Sequence, residues 1–266
     1  MNFNEKVIGV VGGMGPQAGA DLLSRIFKLT KAGKDQHHKS VILMSFPKHI
    51  ADRTDFIEGK VEVNPAINIS KIIIRLETCG ADVVGIACNS SHAPEIYDRI
   101  LEELDKAGCR VQLLHMPKET CRFIKDKYPS ISRVGVMVTN GAYQSGVYQG
   151  ILESMGLKAI VPGYEFQDQV IHQMIYHPIY GIKSHAQGIR DEVKILLDKA
   201  LHFFREEQVE ALILGCTELS LVLDQSYVRD IPIIDSNEIL AKALIRESES
   251  YDQPEMSGKN ASRLTF

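Results

Sequence analysis

At 266 residues the chain has room for two ordinary domains of about 150 residues or for one large core. Its 30 Lys+Arg against 34 Asp+Glu leave a mild net charge of −4, well mixed along the chain, which argues against a nucleic-acid or anionic-membrane binder. Apolar residues at 44% and charged residues at 24% are ordinary globular usage and exclude a disordered or fibrous chain.

From the N-terminus onward, short β-branched runs alternate with amphipathic helical stretches, the pattern of parallel sheets with crossover helices. The predicted strands are residues 6–11, 41–46, 82–87, 111–115, 133–138, 158–161, 210–214 and 232–234. Ahead of the third strand, Asn64 before Pro65 reads as a helix start and Gly80 after Cys79 as a stop. Ile69, Ile72, Ile73 and Leu76 keep one apolar stripe between them, so a helix is predicted over 65–79. Beyond the same strand, Ser90 or Ser91 is expected to cap a helix through Ile96, Ile100, Leu101 and Leu104, with Pro94 in its first turn and Gly108 as the stop.

The first residues show no basic cluster leading into a long apolar run, and no apolar run reaches spanning length, so neither a signal peptide nor a membrane span is expected. Five cysteines at irregular spacing, in a chain large enough to need no covalent staples, point to free thiols in a reducing cytoplasm.

The sequence repeats itself weakly. The segment from Val7 (VIGVVGGMGPQAG) matches that from Arg133 (RVGVMVTNGAYQSG), placing Gly9 over Gly135 and Gly15 over Gly141 at an offset of 126. A second match, from Ala81 and from Glu210, places Cys88 over Cys216 at an offset of 128. Two matches in the same order at nearly the same offset predict two related α/β halves, each with a glycine-bearing strand-to-helix turn and a cysteine ending a later strand.

In open parallel sheets ligands sit beyond the carboxyl ends of the strands, where both cysteines fall. If the halves face each other about a pseudo-two-fold axis, Cys88 and Cys216 approach one small cavity from opposite sides. A thiol at a helix N-terminus has its thiolate favoured, so one cysteine can act as base while its protonated partner acts as acid, and a carbon held between them can be inverted. A lone buried cysteine is more often core filler, and Cys79, Cys109 and Cys121, which lack the repeated placement, are read that way.

Four strings, Gly12-Gly13-Met14-Gly15-Pro16, Asp52-Arg53-Thr54, Cys88-Asn89-Ser90 and Gly215-Cys216-Thr217-Glu218, together resemble the aspartate/glutamate racemases that work without pyridoxal phosphate. The resemblance covers roughly residues 7–240 and implies two similar α/β domains, often dimeric, whose facing cysteines exchange the α-proton of an acidic amino acid. It runs closest to the aspartate branch. Relatives specialised for glutamate usually open with Asp-Ser-Gly and follow the second cysteine with Thr-His, where this chain has Gly13-Met14-Gly15 and Glu218. The chain departs from the commonest pattern at Ser90 (usually Thr), Ala51 (usually Pro) and Ala142 (usually Thr); Ser90 keeps a hydroxyl, whereas Ala142 loses one.

The resemblance also assigns the cationic anchors that an acidic amino acid needs for its carboxylates: Arg53 in the loop after the second strand and Lys183 after the Ile-Tyr segment. Met14 through its backbone, Asn89, Ser90, Thr139, Asn140, Thr217 and Glu218 complete the expected substrate-binding rim, with Cys88 and Cys216 catalytic and His92 in a supporting position. Cations and amide donors on the substrate carboxylate would stabilise the dianion that forms when the α-proton leaves, so no cofactor is expected. Neither a His-Glu-x-x-His helix nor paired Cys-x-x-Cys motifs are present, so no metal is expected either.

Two other functions fit parts of the sequence. Gly13-x-Gly15-x-x-Ala18 after a strand is a permissible dinucleotide signature, although the second strand ends in Ser45-Phe46-Pro47 rather than in a ribose-binding acid. A non-catalytic binding protein for acidic amino acids would use the same pocket. Aspartate against glutamate, and which cysteine serves which enantiomer, stay open. The expected organisation is a first α/β domain of residues 1–115 plus 230–247, a second of 116–229, and a loose tail over 248–266, with a homodimer as the expected assembly.

Overall fold

The computed structural model describes residues 5–12, 14–184 and 188–249. In the first half, β1 (Ile8–Gly12), α1 (Pro16–Leu29), β2 (Val41–Ser45), α2 (Arg53–Ile57), α3 (Ala66–Thr78), β3 (Val83–Ile86), α4 (Pro94–Lys106) and β4 (Gln112–Leu114) follow one another. Their strands form a parallel sheet in the order β2-β1-β3-β4. After α5 (Met116–Lys127) the second half runs through β5 (Arg133–Met137), α6 (Asn140–Ser145), α7 (Val147–Ser154) and β6 (Lys158–Ile160). It continues through α8 (Tyr164–Phe166) and α9 (Gln173–Tyr176), joined by a π-helical turn at Gln167–His172, to α10 (Asp191–Glu206), β7 (Ala211–Leu214), β8 (Tyr227–Val228), β9 (Ile231–Asp235) and α11 (Ser236–Glu249). The second sheet has the order β6-β5-β7-β9-β8, parallel except for the short β8.

The expected duplication is visible in these orders. The strand carrying Gly9 and the strand carrying Gly135 are each flanked by the next strand in the chain on one side and by the cysteine-bearing strand on the other. All eight predicted strands are present within one or two residues; β8, only two residues long, has no period to read.

Each sheet is buried on both faces, as parallel sheets require. On the first, Ile8, Val10 and Val83 face Leu22 and Ile26 of α1. Val11, Val84 and Ile86 face Ile69, Ile73, Ile96 and Ile100 of α3 and α4. Burying each of these side chains contributes about 1.5–3 kcal/mol. Helix α5 stitches the halves: Met116 at its start lies in the core of the first, Cys121 and Ile124 in that of the second.

Three expectations need adjustment. Residues 230–247 do not act as one piece: β9 pairs with β7 in the second sheet, and only α11 returns to the first. The physical reason is that Ile233 and Ile234 extend the second sheet, while Leu240 and Leu244 of α11 cover Gly85 of β3, where a Cβ would stand within 2.9 Å of Leu244. The helix after Cys88 does not start at Ser90 or Ser91. A 3₁₀ turn at Asn89–His92 intervenes, and α4 begins at Pro94, so both serine hydroxyls are released from capping. The helix predicted over 65–79 is α3, where Asn64 Oδ1 accepts from the Ala66 N–H at 2.9 Å. Finally, α11 extends through Glu249, and the rest of the predicted tail, 250–266, lies outside the described residues.

Candidate active site

The cysteines leave equivalent positions. Cys88 follows the end of β3 and Cys216 the end of β7, at the carboxyl edges of the two sheets. Both line one narrow cavity of about 10 Å³, room for about one water molecule, together with Met14, Arg53, Thr139 and Lys183 among others. The two sulfurs therefore converge on a shared space, as the duplication predicted, even though each also touches its own half's apolar core.

Arg53 opens α2, whose N-cap Asp52 accepts from the Thr54 and Asp55 N–H groups at 2.8 and 3.1 Å. That cap fixes the guanidinium in the interior, where it donates to the Met14 carbonyl at 2.5 Å and to the Ala51 carbonyl at 3.3 Å and stands beside the Cys88 thiol. Lys183, on a 3₁₀ turn, donates to Glu218 Oε1 at 2.6 Å and reaches the Met14 carbonyl at 3.5 Å. Met14 thus contributes a carbonyl on which both cations converge.

The thiols are each 5% exposed, so depth alone does not distinguish them. Burial pushes the Cys88 thiol up, but the charge of Arg53, hydrogen bonds from Ser90 and Ser91, and the more distant Lys183 carry it below the ordinary thiol range. Its Sγ lies 3.4 Å from Ser90 Oγ. Cys216 goes the other way: burial and then the charge of Glu218 push it well above the ordinary range, and Lys183 only partly offsets them. Its S–H donates to Glu218 Oε2 at 3.0 Å. Glu218 itself is held low, because the neighbouring Lys183 outweighs the burial that would raise it.

The stabilisation expected from a helix N-terminus is therefore supplied otherwise. Cys88 is followed by a 3₁₀ turn, and its thiolate is favoured by a guanidinium and hydroxyls; Cys216 is followed by a short 3₁₀ turn at Leu219–Leu221 and faces a carboxylate.

The remaining predicted rim residues divide. Ser90, Thr217 and Thr139 line the cavity, and Thr139 Oγ1 is buried without a hydrogen-bond partner, as is Arg53 Nε. Asn89 also lines it, but its side chain is engaged elsewhere, donating to Ser236 Oγ at 3.0 Å and accepting from Tyr148 Oη at 2.6 Å. Asn140 is not among the lining residues: its amide donates to Asp168 at 2.7 Å, and Gln167 of the π-helical turn sits against it. His92 takes the supporting place. Met116 N–H donates to its Nε2 at 3.2 Å, so Nδ1 carries the proton and donates to the Cys88 carbonyl at 2.9 Å. Burial holds this imidazole neutral, its pKa down at about 4.

Tyr176 was not foreseen. It lines the cavity, donates to Asp52 Oδ2 at 3.2 Å, and lies under the Lys183 ammonium, 5.2 Å from ring centroid to Nζ. It stands just past the π-helical turn, whose irregular period hides it from pattern reading.

A dinucleotide is poorly matched to the first turn. A Cβ on Gly15 would stand 2.8 Å from Glu218 Oε1, so an anion occupies the space where a pyrophosphate needs donors. Gly13 lies outside the described residues. Among the described residues no group of His, Cys, Asp and Glu is arranged to hold a metal ion, and no helix is long and apolar enough to cross a membrane.

Residues 11–244 match the model of the Asp/Glu/hydantoin racemase family. The chain belongs to that family. Among solved structures it is similar to the Picrophilus torridus aspartate racemase, at 28% identity and a TM-score of 0.74 over 91% of this chain and 94% of that one. A glutamate racemase from Francisella tularensis, solved with D-glutamate, shares the fold at 16% identity and a TM-score of 0.65, over 92% of this chain and 81% of that one. An uncharacterised protein in the pnlA 3' region of Pectobacterium carotovorum is 32% identical over 53% of this chain and 87% of its own length. Membership makes the chain a racemase-family protein of the two-domain α/β fold, and the cavity with its facing thiols is the candidate seat of the chemistry.

Proposed function

We propose that the protein inverts the α-carbon of aspartate by passing protons between Cys88 and Cys216 without a cofactor. The observation that carries this reading is the convergence of two cysteines, from equivalent strand ends, on one cavity that also holds the buried Arg53 and the half-buried Lys183.

Cys88, favoured as thiolate beside Arg53, takes the α-hydrogen from one face of the substrate, while Cys216, held as thiol by Glu218, returns a proton to the opposite face. Arg53 and Lys183 hold the two carboxylates, and Thr139 Oγ1 and Arg53 Nε, buried and without partners, are donors available to them. A buried cation against the α-carboxylate stabilises the dianionic transition state by several kcal/mol, since little water screens it. That contribution takes the place of an electron-sink cofactor. The reverse direction starts from Cys216 thiolate and Cys88 thiol.

Aspartate is favoured over glutamate by Gly13-Met14-Gly15 and Glu218 and by similarity to an aspartate racemase at 28% identity. Incubating each enantiomer of both amino acids in deuterated water, with the intact protein and with Cys88→Ala and Cys216→Ala, tests the reading. Exchange with inversion is expected from the intact protein on aspartate, and a loss of inversion of about 10²–10⁴-fold from either variant. Full activity in both variants rejects the mechanism. Exchange on neither amino acid rejects the substrate class. The expected homodimer is read separately by sedimentation.

A further inference from the structure

Glu218 was expected in the substrate-binding rim, where a carboxylate can meet the ammonium of an acidic amino acid but repels both of its carboxylates. Its actual contacts suggest a different role. It accepts from Lys183 at 2.6 Å and from the Cys216 thiol at 3.0 Å, so it occupies the cation that the proposed reaction needs for its substrate. Its side chain is nearly buried, and the pair is a close ion pair in a medium poor in water.

The surroundings show where a ligand would meet this pair. Beyond the cysteine cavity lies a chamber of about 730 Å³, walled by Ile50, Tyr180, Val193 and Val222 among others. Four residues line both spaces: Met14, Arg53, Lys183 and Glu218. Arg53 is fixed by the Met14 and Ala51 carbonyls, so the Lys183–Glu218 pair is the part of this partition that a carboxylate can exchange. A cavity of about 10 Å³ cannot admit a dicarboxylic amino acid unless the partition opens.

Charge leads to the same place. With Cys88 as thiolate and Glu218 in position, these two anions and Asp52, 3.8 Å from Arg53, outnumber Arg53 and Lys183, and the cavity repels an incoming anion. With Glu218 turned out toward the chamber, that excess negative charge is gone and Lys183 is free to meet a carboxylate of the substrate.

From this we infer that Glu218 is a specificity-determining residue which acts as an internal carboxylate: it holds Lys183 until a carboxylate of the substrate replaces it, opening the way from the chamber to the cysteines. The inference rests on the proposed acidic-amino-acid reading and adds to it a reason why a carboxylate is required for entry. Ligands without one cannot displace Glu218 and stay in the chamber. The exchange also moves the acceptor of the Cys216 thiol, so binding and readiness of that thiol are coupled.

The test measures binding without chemistry. Succinate, which has both carboxylates and no ammonium or exchanging α-centre, is titrated calorimetrically into the intact protein and into Glu218→Gln, with aspartate KM and kcat measured in parallel. An internal competitor reduces apparent affinity by the fraction of sites it leaves open, so removing its charge should tighten succinate binding by about tenfold. Aspartate KM should fall in step, while kcat falls rather than rises because the Cys216 thiol has lost its charged acceptor. A merely structural ion pair predicts the opposite for binding, weaker succinate and higher KM. Unchanged or weaker succinate binding by folded Glu218→Gln overturns the inference.

If Glu218→Gln does not fold, Glu218→Asp serves. Its shorter side chain cannot span Lys183 and Cys216 together, and it is expected to bind succinate more tightly than the intact protein by less than about tenfold; affinity at or below that of the intact protein overturns the inference. The two readings fail separately. Tighter succinate binding with no α-hydrogen exchange keeps the carboxylate exchange and rejects the racemase chemistry, whereas normal racemisation with weaker succinate binding does the reverse.

Discussion

Cys88 and Cys216 leave equivalent strands at equivalent points and are equally buried, yet their surroundings oppose each other. The first sees a guanidinium and two serine hydroxyls, the second a carboxylate that accepts its proton. Duplication supplied two thiols lining one cavity, and divergence in the loops after the strands gave them opposite surroundings, which the proposed mechanism uses as a base and an acid. A symmetric pair would have no preferred resting arrangement, because two like thiols in one cavity would titrate as a unit. Here the arrangement is set in advance by residues that differ between halves: Arg53, Ser90 and Ser91 on one side, Glu218 and Lys183 on the other.

The largest effect that can break this comparison is removal of the cation beside Cys88. Arg53→Met should cost about 10²–10³-fold in α-hydrogen exchange, the scale of a lost transition-state donor. It should also move the alkylation of Cys88, followed by mass spectrometry against pH, to higher pH. An unshifted alkylation profile would show that Arg53 does not set the asymmetry.

Next comes acid stability, to which His92 contributes on the Cys88 side. His92 is neutral and buried in the folded protein, with a pKa of about 4 against about 6.5 unfolded. The unfolded chain therefore binds the extra proton first. The stability this provides is fully present above pH 6.5 and is lost as the pH falls from there toward 4, by about 3 kcal/mol at most. Denaturant unfolding between pH 7 and 4 should show that slope beside the like one of His115, packed 4.9 Å away and also held neutral by burial, and His92→Gln should remove the His92 share; an equally steep variant contradicts the assignment.

Smallest is the contribution of a single hydroxyl. Ser90→Ala removes the neighbour of Cys88 Sγ at 3.4 Å and should raise the pH of its alkylation modestly, an effect of about 1 kcal/mol or roughly fivefold in rate. Cys216 in the same sample serves as the internal control and should not move.

Much of the fold was legible because both sheets are buried on both faces, so their strands read as short apolar runs bounded by turns. The paired glycines and cysteines revealed the duplication, and the sequence strings brought ten of the eleven predicted site residues to one cavity. Asn140 failed because its partner, Asp168, comes from a π-helical turn that no regular period announces. Tyr176 was missed for the same reason. The placement of residues 230–247 was only half right, since nothing local tells a short strand such as β9 which sheet it will join. The difference between the two thiols was not read: on one side it comes from Glu218, only two residues after Cys216, and on the other from Arg53, a charge brought to Cys88 by a distant segment.

The central claim, two sulfurs working from opposite faces of one carbon, is tested most directly by the isotope content of aspartate at early conversion in deuterated water, starting from a single enantiomer. The account predicts that the newly formed enantiomer carries solvent deuterium at its α-carbon while the remaining starting enantiomer keeps its protium. A product that retains the substrate's own protium would mean that one group removes and returns the same hydrogen, and would contradict the account.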